Sequence, residues 1–579
     1  MRNGSFGLGL EAGDARWRVV ARGLAGAAAA LALAGVGCAA EEPVSAPMGL
    51  SVSALTGTAC GDPSSPSTGV DPFADIGDIS VAVRAFDEES GRYETLAKAS
   101  TSLKQAASLR VKSVPEGTGR EVIVLGKGSQ AQWYGKAPGV TVKRNTDNAV
   151  DVLLTKLGEL SCVPSPATSL NGVFPAAVML GDGRALVTGG FTEVVADGSG
   201  SKLTSPSSSA FLVDMARGTV KDLGSMGAGQ GRAAHAMVYM PEVDQVLIVG
   251  GLSEMRLDES KPFPFVFTHD DADKARNDYV IFDVATETFR AGTDTMVRGR
   301  VFPRAQALAD GTVVVTGGGP WPYDDQDAGY LQVSVFAPTL HDGEGGFLDV
   351  NNFRSFYTRA GHTLTPVNDT AEGLSQLLVW GGTTPDRSFG NPAEIFVQSG
   401  RQLSGVNGTF KEVVITGEVP SFTYFHEATP LTGNRVLMTG GVAYEGGLTA
   451  PHADEAWLLT FVDGPSPFVN VVKVPGLGAG RVFHTALSHD LVHVSVLGGF
   501  VGLEALTSDT VKLFDVSNTT SAWATAAASA TFAPRGGQAA VTGPSGAALL
   551  AGGDGSARAH GAQQRQSVEI FTPPTVPVP

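Results

Sequence analysis

The sequence predicts an all-β chain, a closed ring of seven four-stranded units preceded by a small β-sandwich. Three observations predict it. Apolar runs end on paired glycines seven times, at Gly189-Gly190, Gly250-Gly251, Gly317-Gly318, Gly381-Gly382, Gly440-Gly441, Gly498-Gly499 and Gly552-Gly553, with successive pairs 61, 67, 64, 59, 58 and 54 residues apart. The 74 glycines and 33 prolines, set against 17% charged residues, suit many short strands joined by tight turns. Upstream, residues 76–156 alternate apolar and polar positions in about six short runs. A repeat of this period means that each unit buries its face against the next.

The first 38 residues read as a processed segment. Arg2, Arg16, Arg18 and Arg22 form a basic region, and Gly23 to Gly37 is an apolar run too short to span a bilayer. Cys38 follows, then polar AAEEP. This resembles the lipobox of bacterial lipoproteins, which implies a lipidated Cys38 as mature N-terminus. Gly35 stands where that pattern has Leu, with Leu33 two residues further back. An ordinary secretory signal cleaved nearby is the alternative. Residues 39–75, rich in Ala, Pro, Ser and Gly, read as a tether.

Residues 76–156 supply ISVAVRAFD, SLRVKSV, REVIVLGKG, VTVKRN and AVDVLLTK, half-buried strands of the small β-sandwich. The run VPEGTGREVIVLGKG followed by WYGKAPGVTV resembles transthyretin-like or carboxypeptidase-regulatory-like modules. Beyond Cys38 only Cys60 and Cys162 remain, one on each side of the sandwich. Export would make them a plausible disulfide, and two buried thiols are the alternative.

The ring occupies residues 157–579. RVFHTALSHDLVHVSVLGG followed by VKLFDVSNTTSAW gives two strands, the glycine pair, a third strand and a turn into a fourth at Trp523. RAAHAMVYMPEVDQVLIVGG and YVIFDVATETF repeat the order. Four antiparallel strands per unit make one propeller blade. The seven pairs, with third strands such as 210–214, 279–283, 393–396, 511–515 and 567–571, resemble the kelch repeat and the seven-bladed central domain of the galactose oxidase family. Only Trp523 and Phe289 fill that pattern's fourth-strand Trp position. Blade seven reaches Phe571 with three strands visible, so 155–163 is expected to supply the fourth and to place Cys162 on the outer edge.

Arg232, Arg300, Arg359, Arg481 and Arg535 recur three residues before the first strands, and His235, His362, His426 and His484 stand at strand starts. Symmetry argues against a metal, because equivalent positions lie around a ring and cannot converge on one ion. A structural bond needed by every blade explains them better. Recognition is therefore expected in what does not repeat, the insertions at 252–278, 319–330 and 442–456 on one loop face. There Phe265, Asp270, Asp271 and Asp273, and Trp321, Tyr323, Asp324, Asp325 and Asp327, combine aromatic platforms with acidic acceptors. Solvated Asp-rich turns are the alternative.

No cysteine follows Cys162, so the copper site with a tyrosine–cysteine cross-link that the galactose oxidase resemblance implies cannot be built in the blades. Gly-x-Ser-x-Gly, His-Glu-x-x-His and phosphate-loop motifs are absent as well. No cofactor and no metal are expected. A net charge of −17 argues against nucleic acid and leaves the lipid as the only membrane contact. The reading is an exported, lipid-anchored cell-envelope protein, at the outer membrane or cell surface, that binds a glycan or protein partner without catalysis. Two alternatives stay open, a glycan-active lyase or hydrolase and a structural surface protein.

Overall fold

The computed structural model describes residues 46–576 apart from 55–74, 103–108, 130, 144–147, 164–169, 171, 199, 259, 261–262, 320–332, 349–352, 370–372, 383–392, 401–407, 419, 421–422, 444–452, 465, 491, 502–505, 531 and 557–567. Cys38 and Cys60 lie outside the described residues.

The N-terminal strands are β1 (Ala46–Ala54), β2 (Ile76–Asp87), β3 (Arg92–Ser102), β4 (Leu109–Val114), β5 (Gly117–Gly128), β6 (Gln132–Val142) and β7 (Val150–Lys156). They form one sheet in the order β3-β2-β5-β6-β7-β1-β4. Alternation decides which face is buried: Ile79, Val81 and Val83 of β2 join Val122 and Val124 of β5 in a single core. Two findings differ from expectation. The strands form one continuous sheet whose outer members β3 and β4 meet, where two packed sheets were expected. β1 comes from the segment read as tether, running parallel to β7 and antiparallel to β4. Its alternating Met48, Leu50 and Val52 are diluted by Ala, Ser and Gly, which masks a strand as a linker.

The remainder is a β-propeller. Blade one runs outwards from the axis through Ala176–Met179, Arg184–Thr188, Ser209–Asp214 and Thr219–Ser225, all antiparallel. The inner strands of successive sheets are Ala176–Met179, Ala236–Met240, Arg304–Ala307, Thr363–Asp369, Glu427–Leu431, Thr485–Ser488 and Ala539–Thr542. Each touches the next, and the last touches the first. The fifth sheet gains an extra strand, Val414–Gly417, parallel to Phe468–Val474. In the last sheet β8 (Leu160–Val163) pairs with Val568–Phe571 and places Cys162 opposite Glu569 on the outer edge. The ring is thus closed by the segment that the missing strand pointed to.

The paired glycines have a common backbone shape. The first lies at φ between 60° and 73°, the second between 87° and 103°. That shape turns the second N–H toward the next blade. Gly190 donates to the Arg232 carbonyl (3.0 Å), Gly251 to Arg300 (2.8 Å), Gly318 to Arg359 (3.0 Å) and Gly382 to Thr423 (3.0 Å). Gly441 donates to Arg481 (2.8 Å), Gly499 to Arg535 (2.8 Å) and Gly553 to Gly172 (2.8 Å), completing the circle.

β7 and β8 fasten the first sheet to the ring. Leu153 N–H donates to the Ala216 carbonyl at 2.7 Å, and the Leu153 side chain packs with Val163, Met215 and Ala547. The hydroxyls of Thr155 and Thr572 lie 2.7 Å apart, and Lys136 Nζ donates to the Pro544 carbonyl at 3.1 Å.

At Gly499 (φ +96°) an added Cβ would stand 2.7 Å from the His484 Cβ, whereas at Gly91 (φ +65°) nothing lies within 4 Å. Gly499→Ala is therefore expected to cost about 3 kcal/mol or more, and Gly91→Ala only about 1 kcal/mol, the left-handed backbone term alone. Thermal denaturation of the two variants checks the ranking. Equal losses would contradict the close approach at the glycine pair.

Candidate functional site

The loop face is organised by the residue that enters each inner strand. Phe174, Ala234, Phe302, Gly361, Phe425, Phe483 and Gly537 occupy equivalent places, and all have positive φ, from 47° to 68°. A non-glycine residue there costs on the order of 1–2 kcal/mol. Hydrogen bonds around the axis hold the conformation. Phe174 N–H donates to the Gly537 carbonyl, Ala234 to Phe174, Phe302 to Ala234, Phe425 to Gly361 and Gly537 to Phe483, at 2.7–3.0 Å. The four phenylalanine rings meet on the axis, with centroids 4.7 Å apart for Phe174–Phe483 and Phe425–Phe483 and 5.0 Å for Phe174–Phe302.

A small sheet lies over them. The hairpin Phe191–Asp197 and Gly200–Pro206 leaves blade one after its glycine pair and joins Met255–Leu257 and Phe265–Val266 from blade two. Phe265 was expected on an exposed ligand face; it is 2% exposed, with ring centroids 5.1 Å from Phe174 and 5.3 Å from Phe483. The blade-two insertion turns its aromatic residues inward, because Phe263, Phe265 and Phe267 cap the apolar ring below. This inward turn has a sequence signal that passed unused, the alternation of those three phenylalanines with Pro264 and Val266. The blade-one hairpin also escaped the sequence reading.

The acidic candidates separate. Asp271 Oδ2 accepts from Thr268 N–H (2.9 Å), Thr268 Oγ1 (2.8 Å) and Arg256 Nη2 (2.9 Å), so it caps the turn His269–Lys274. Asp273 is exposed and pairs with Lys274 at 2.7 Å. The Asp270 side chain lies outside the described residues, as do Trp321, Tyr323, Asp324, Asp325 and Asp327. Among the described residues no three His, Cys, Asp or Glu side chains are arranged to hold a metal ion.

The repeated histidines and arginines join and brace the blades. His235, His362 and His484 place Nε2 at 2.9, 2.8 and 2.9 Å from Thr188, Thr316 and Thr439, the residues before the preceding blade's glycine pair. Where that residue is Val249 or Ala551, the next blade carries Pro303 or Pro175 instead. Trp380 displaces the threonine in blade four, and His426 Nε2 meets Thr363 Oγ1 at 3.1 Å. After Leu497 the partner is Gln538, whose Nε2 donates to the Leu497 carbonyl at 3.1 Å. Each of the five arginines points Nη1 at the first glycine carbonyl of its own blade, that of Gly250, Gly317, Gly381, Gly498 or Gly552. Arg359 also pairs with Glu394 at 2.9 Å, and Arg535 with Glu569, all four buried.

Burial sets the protonation states. It holds His235, His362 and His484 well below the ordinary imidazole range, helped by nearby arginine charges, and takes His426 to about 3. The Nδ1 atoms of His235, His362 and His484 are buried without a partner among the described residues, so a second N–H would have no acceptor. Burial likewise draws Arg232 and Arg481 down to about 10. These imidazoles are neutral hydrogen-bonding groups, locked in place and shut off from solvent.

No protein family matches the chain by sequence, and no curated protein is similar to it at a significant level. Among solved structures, a fungal alcohol oxidase of the AA5 family, in complex with copper, is similar at 12% identity and a TM-score of 0.47, over 71% of this chain and 76% of that one. The structure of YjhT is similar at 12% identity and a TM-score of 0.39, over 63% of this chain and 99% of that one.

The buried charges have measurable consequences. Glu394→Ala strands the Arg359 guanidinium in the interior and should cost about 3–5 kcal/mol, readable as a lowered denaturant midpoint. A loss below about 1 kcal/mol would mean that water reaches Arg359. The histidines are neutral when folded and protonate below about 6.5 when unfolded, so the unfolded state binds more protons in acid. Stability is therefore complete above about pH 6.5 and falls as pH drops below it, by up to about 1.4 kcal/mol per unit for each histidine. His484→Gln, which copies the Gln538 arrangement, should flatten the melting temperature's fall between about pH 6.5 and 4.5. An unchanged slope would refute the assignment.

Proposed function

We propose that the chain is an exported, lipid-anchored protein of the cell envelope whose propeller binds a glycan or protein partner and performs no catalysis. One observation carries the reading. On the loop face the axial position, where ring-borne groups could converge, is filled by Phe174, Phe302, Phe425 and Phe483 under the Phe263–Phe267 cap. The recurring histidines and arginines are committed to the frame. Recognition is thereby left to the insertions at 319–330 and 442–456 that the sequence nominates. Cys38 would hold the protein at the membrane, each buried acyl methylene contributing about 0.8 kcal/mol.

A disulfide between Cys60 and Cys162 belongs to the same reading. Cys162 lies on β8, the strand that closes the ring, so the bond would tie the N-terminal segment to the closure itself. It would close a loop of about 100 residues, for which chain entropy gives about 4–5 kcal/mol.

The test is a glycan array and an envelope pull-down with the lipidated full chain, alongside Trp321→Ala. Saturable binding weakened about tenfold by that substitution supports the proposal. Turnover of a bound glycan would replace it with the enzymatic alternative. Cys38→Ser should move the protein to the soluble fraction, and a non-reducing peptide map should join Cys60 to Cys162; an unmodified mature N-terminus elsewhere would remove the anchor.

A further inference from the structure

Beneath the phenylalanine layer the inner strands keep part of their surface accessible. Each inner strand has a hydrogen-bonded neighbour on one side only, and adjacent blades cover its flanks, so the surface it keeps accessible faces the axis. Ala176–Met179 and Arg304–Ala307 are partly accessible at every residue. The phenylalanine cluster bounds the space between the inner strands at one end.

Two residues along from each phenylalanine position, about 6.6 Å at strand rise, the inner strands contribute one side chain apiece to a ring. Five of the seven are alanine or threonine, and the other two are Arg304 and Glu427. Thr363 and Thr485 turn their hydroxyls to the neighbouring His426 and Gln538. Arg304 is fixed by its Nε–H, which donates to the His362 carbonyl at 3.0 Å; its terminal nitrogens take no partner among the described residues. Glu427 takes no side-chain hydrogen bond or ion pair there either. It is enclosed by protein yet keeps some accessible surface, as a group facing the space between the inner strands does. Burial pushes its carboxyl up, and the Arg304 charge draws it partly back, so the two share one electrostatic environment without pairing.

An interior carboxylate and an interior guanidinium that do not neutralise each other are both costly, and a ligand with complementary ends would relieve both. We propose that this ring binds a small zwitterion, its carboxylate on the terminal nitrogens of Arg304 and its ammonium on Glu427, entering from the face opposite the phenylalanines. The alanines at the same level in blades one and two, Ala176 and Ala236, are partly accessible and leave room on the other side of the ring for its body.

The site is independent of the insertions proposed for recognition and has its own test. The full chain is titrated calorimetrically with glycine, β-alanine and 4-aminobutyrate, which share two ends at increasing spacing, and with acetate and methylammonium, which have one end each. One member of the series is expected to bind saturably at one site, with the single-ended compounds at least about tenfold weaker. Glu427→Gln and Arg304→Lys, the latter losing the planar fork, should each weaken that ligand about tenfold while the circular dichroism spectrum stays that of the wild type. Failure of all three zwitterions on the wild-type chain overturns the proposal, as does equal binding of acetate or methylammonium, or full affinity in folded variants. The wild-type titration decides the matter even if a variant does not fold.

Discussion

The hydrogen bond from the second glycine of each pair to the next blade's carbonyl is the constraint on which the rest of the propeller depends. It occurs at all seven junctions, between 2.8 and 3.0 Å, and runs unbroken around the molecule in the same form. Its geometry needs a backbone that side-chain-bearing residues rarely adopt, which is why sequence variation between blades spares the pair. Because it fixes the carbonyl two residues before the left-handed position, it also fixes where the phenylalanines enter. The central aromatic cluster is therefore a consequence of the glycines as much as of its own apolarity.

Around that circle the blades differ in how they satisfy buried polar groups. Threonine calls for histidine across the boundary, valine and alanine accept proline, and leucine is served by a glutamine that uses the backbone carbonyl instead. The arginines differ too. In blades four and seven a glutamate on the third strand meets the guanidinium, while Arg481 takes the Thr510 hydroxyl at 3.1 Å. An interior amide or charge without a partner would cost about 1–3 kcal/mol or more, and at these junction positions the substituted residue brings its own partner.

The architecture was legible because period and spacing are local properties of the sequence. Seven pairs and a missing outer strand after Phe571 suffice to place the strands and to nominate 155–163 for closure. What was not legible depends on contacts between distant segments. The alternation of Phe263, Phe265 and Phe267 puts their rings on one face, but whether that face meets water or the axis is decided by Phe174 and Phe483, far away in sequence. A phenylalanine at φ 50°, as at Phe483, runs against its own preference and is held by its neighbours. Arg304 and Glu427 look like ordinary strand-start residues until the ring sets them at one level. β1 was lost for a different reason, a weak apolar signal in a Pro- and Ser-rich setting.

Closure by β8 ties the two halves of the chain's history together. Leu160 and Phe571 are neighbours in the last sheet yet lie at opposite ends of the ring-forming sequence. During synthesis, β8 emerges long before its partner, so an unpaired strand must wait while the intervening blades are made. Such a delay favours slow, late cooperativity and leaves an adhesive edge exposed to other chains meanwhile. The first sheet, joined to β8 by a short turn, is well placed to shelter that edge until the final strand arrives.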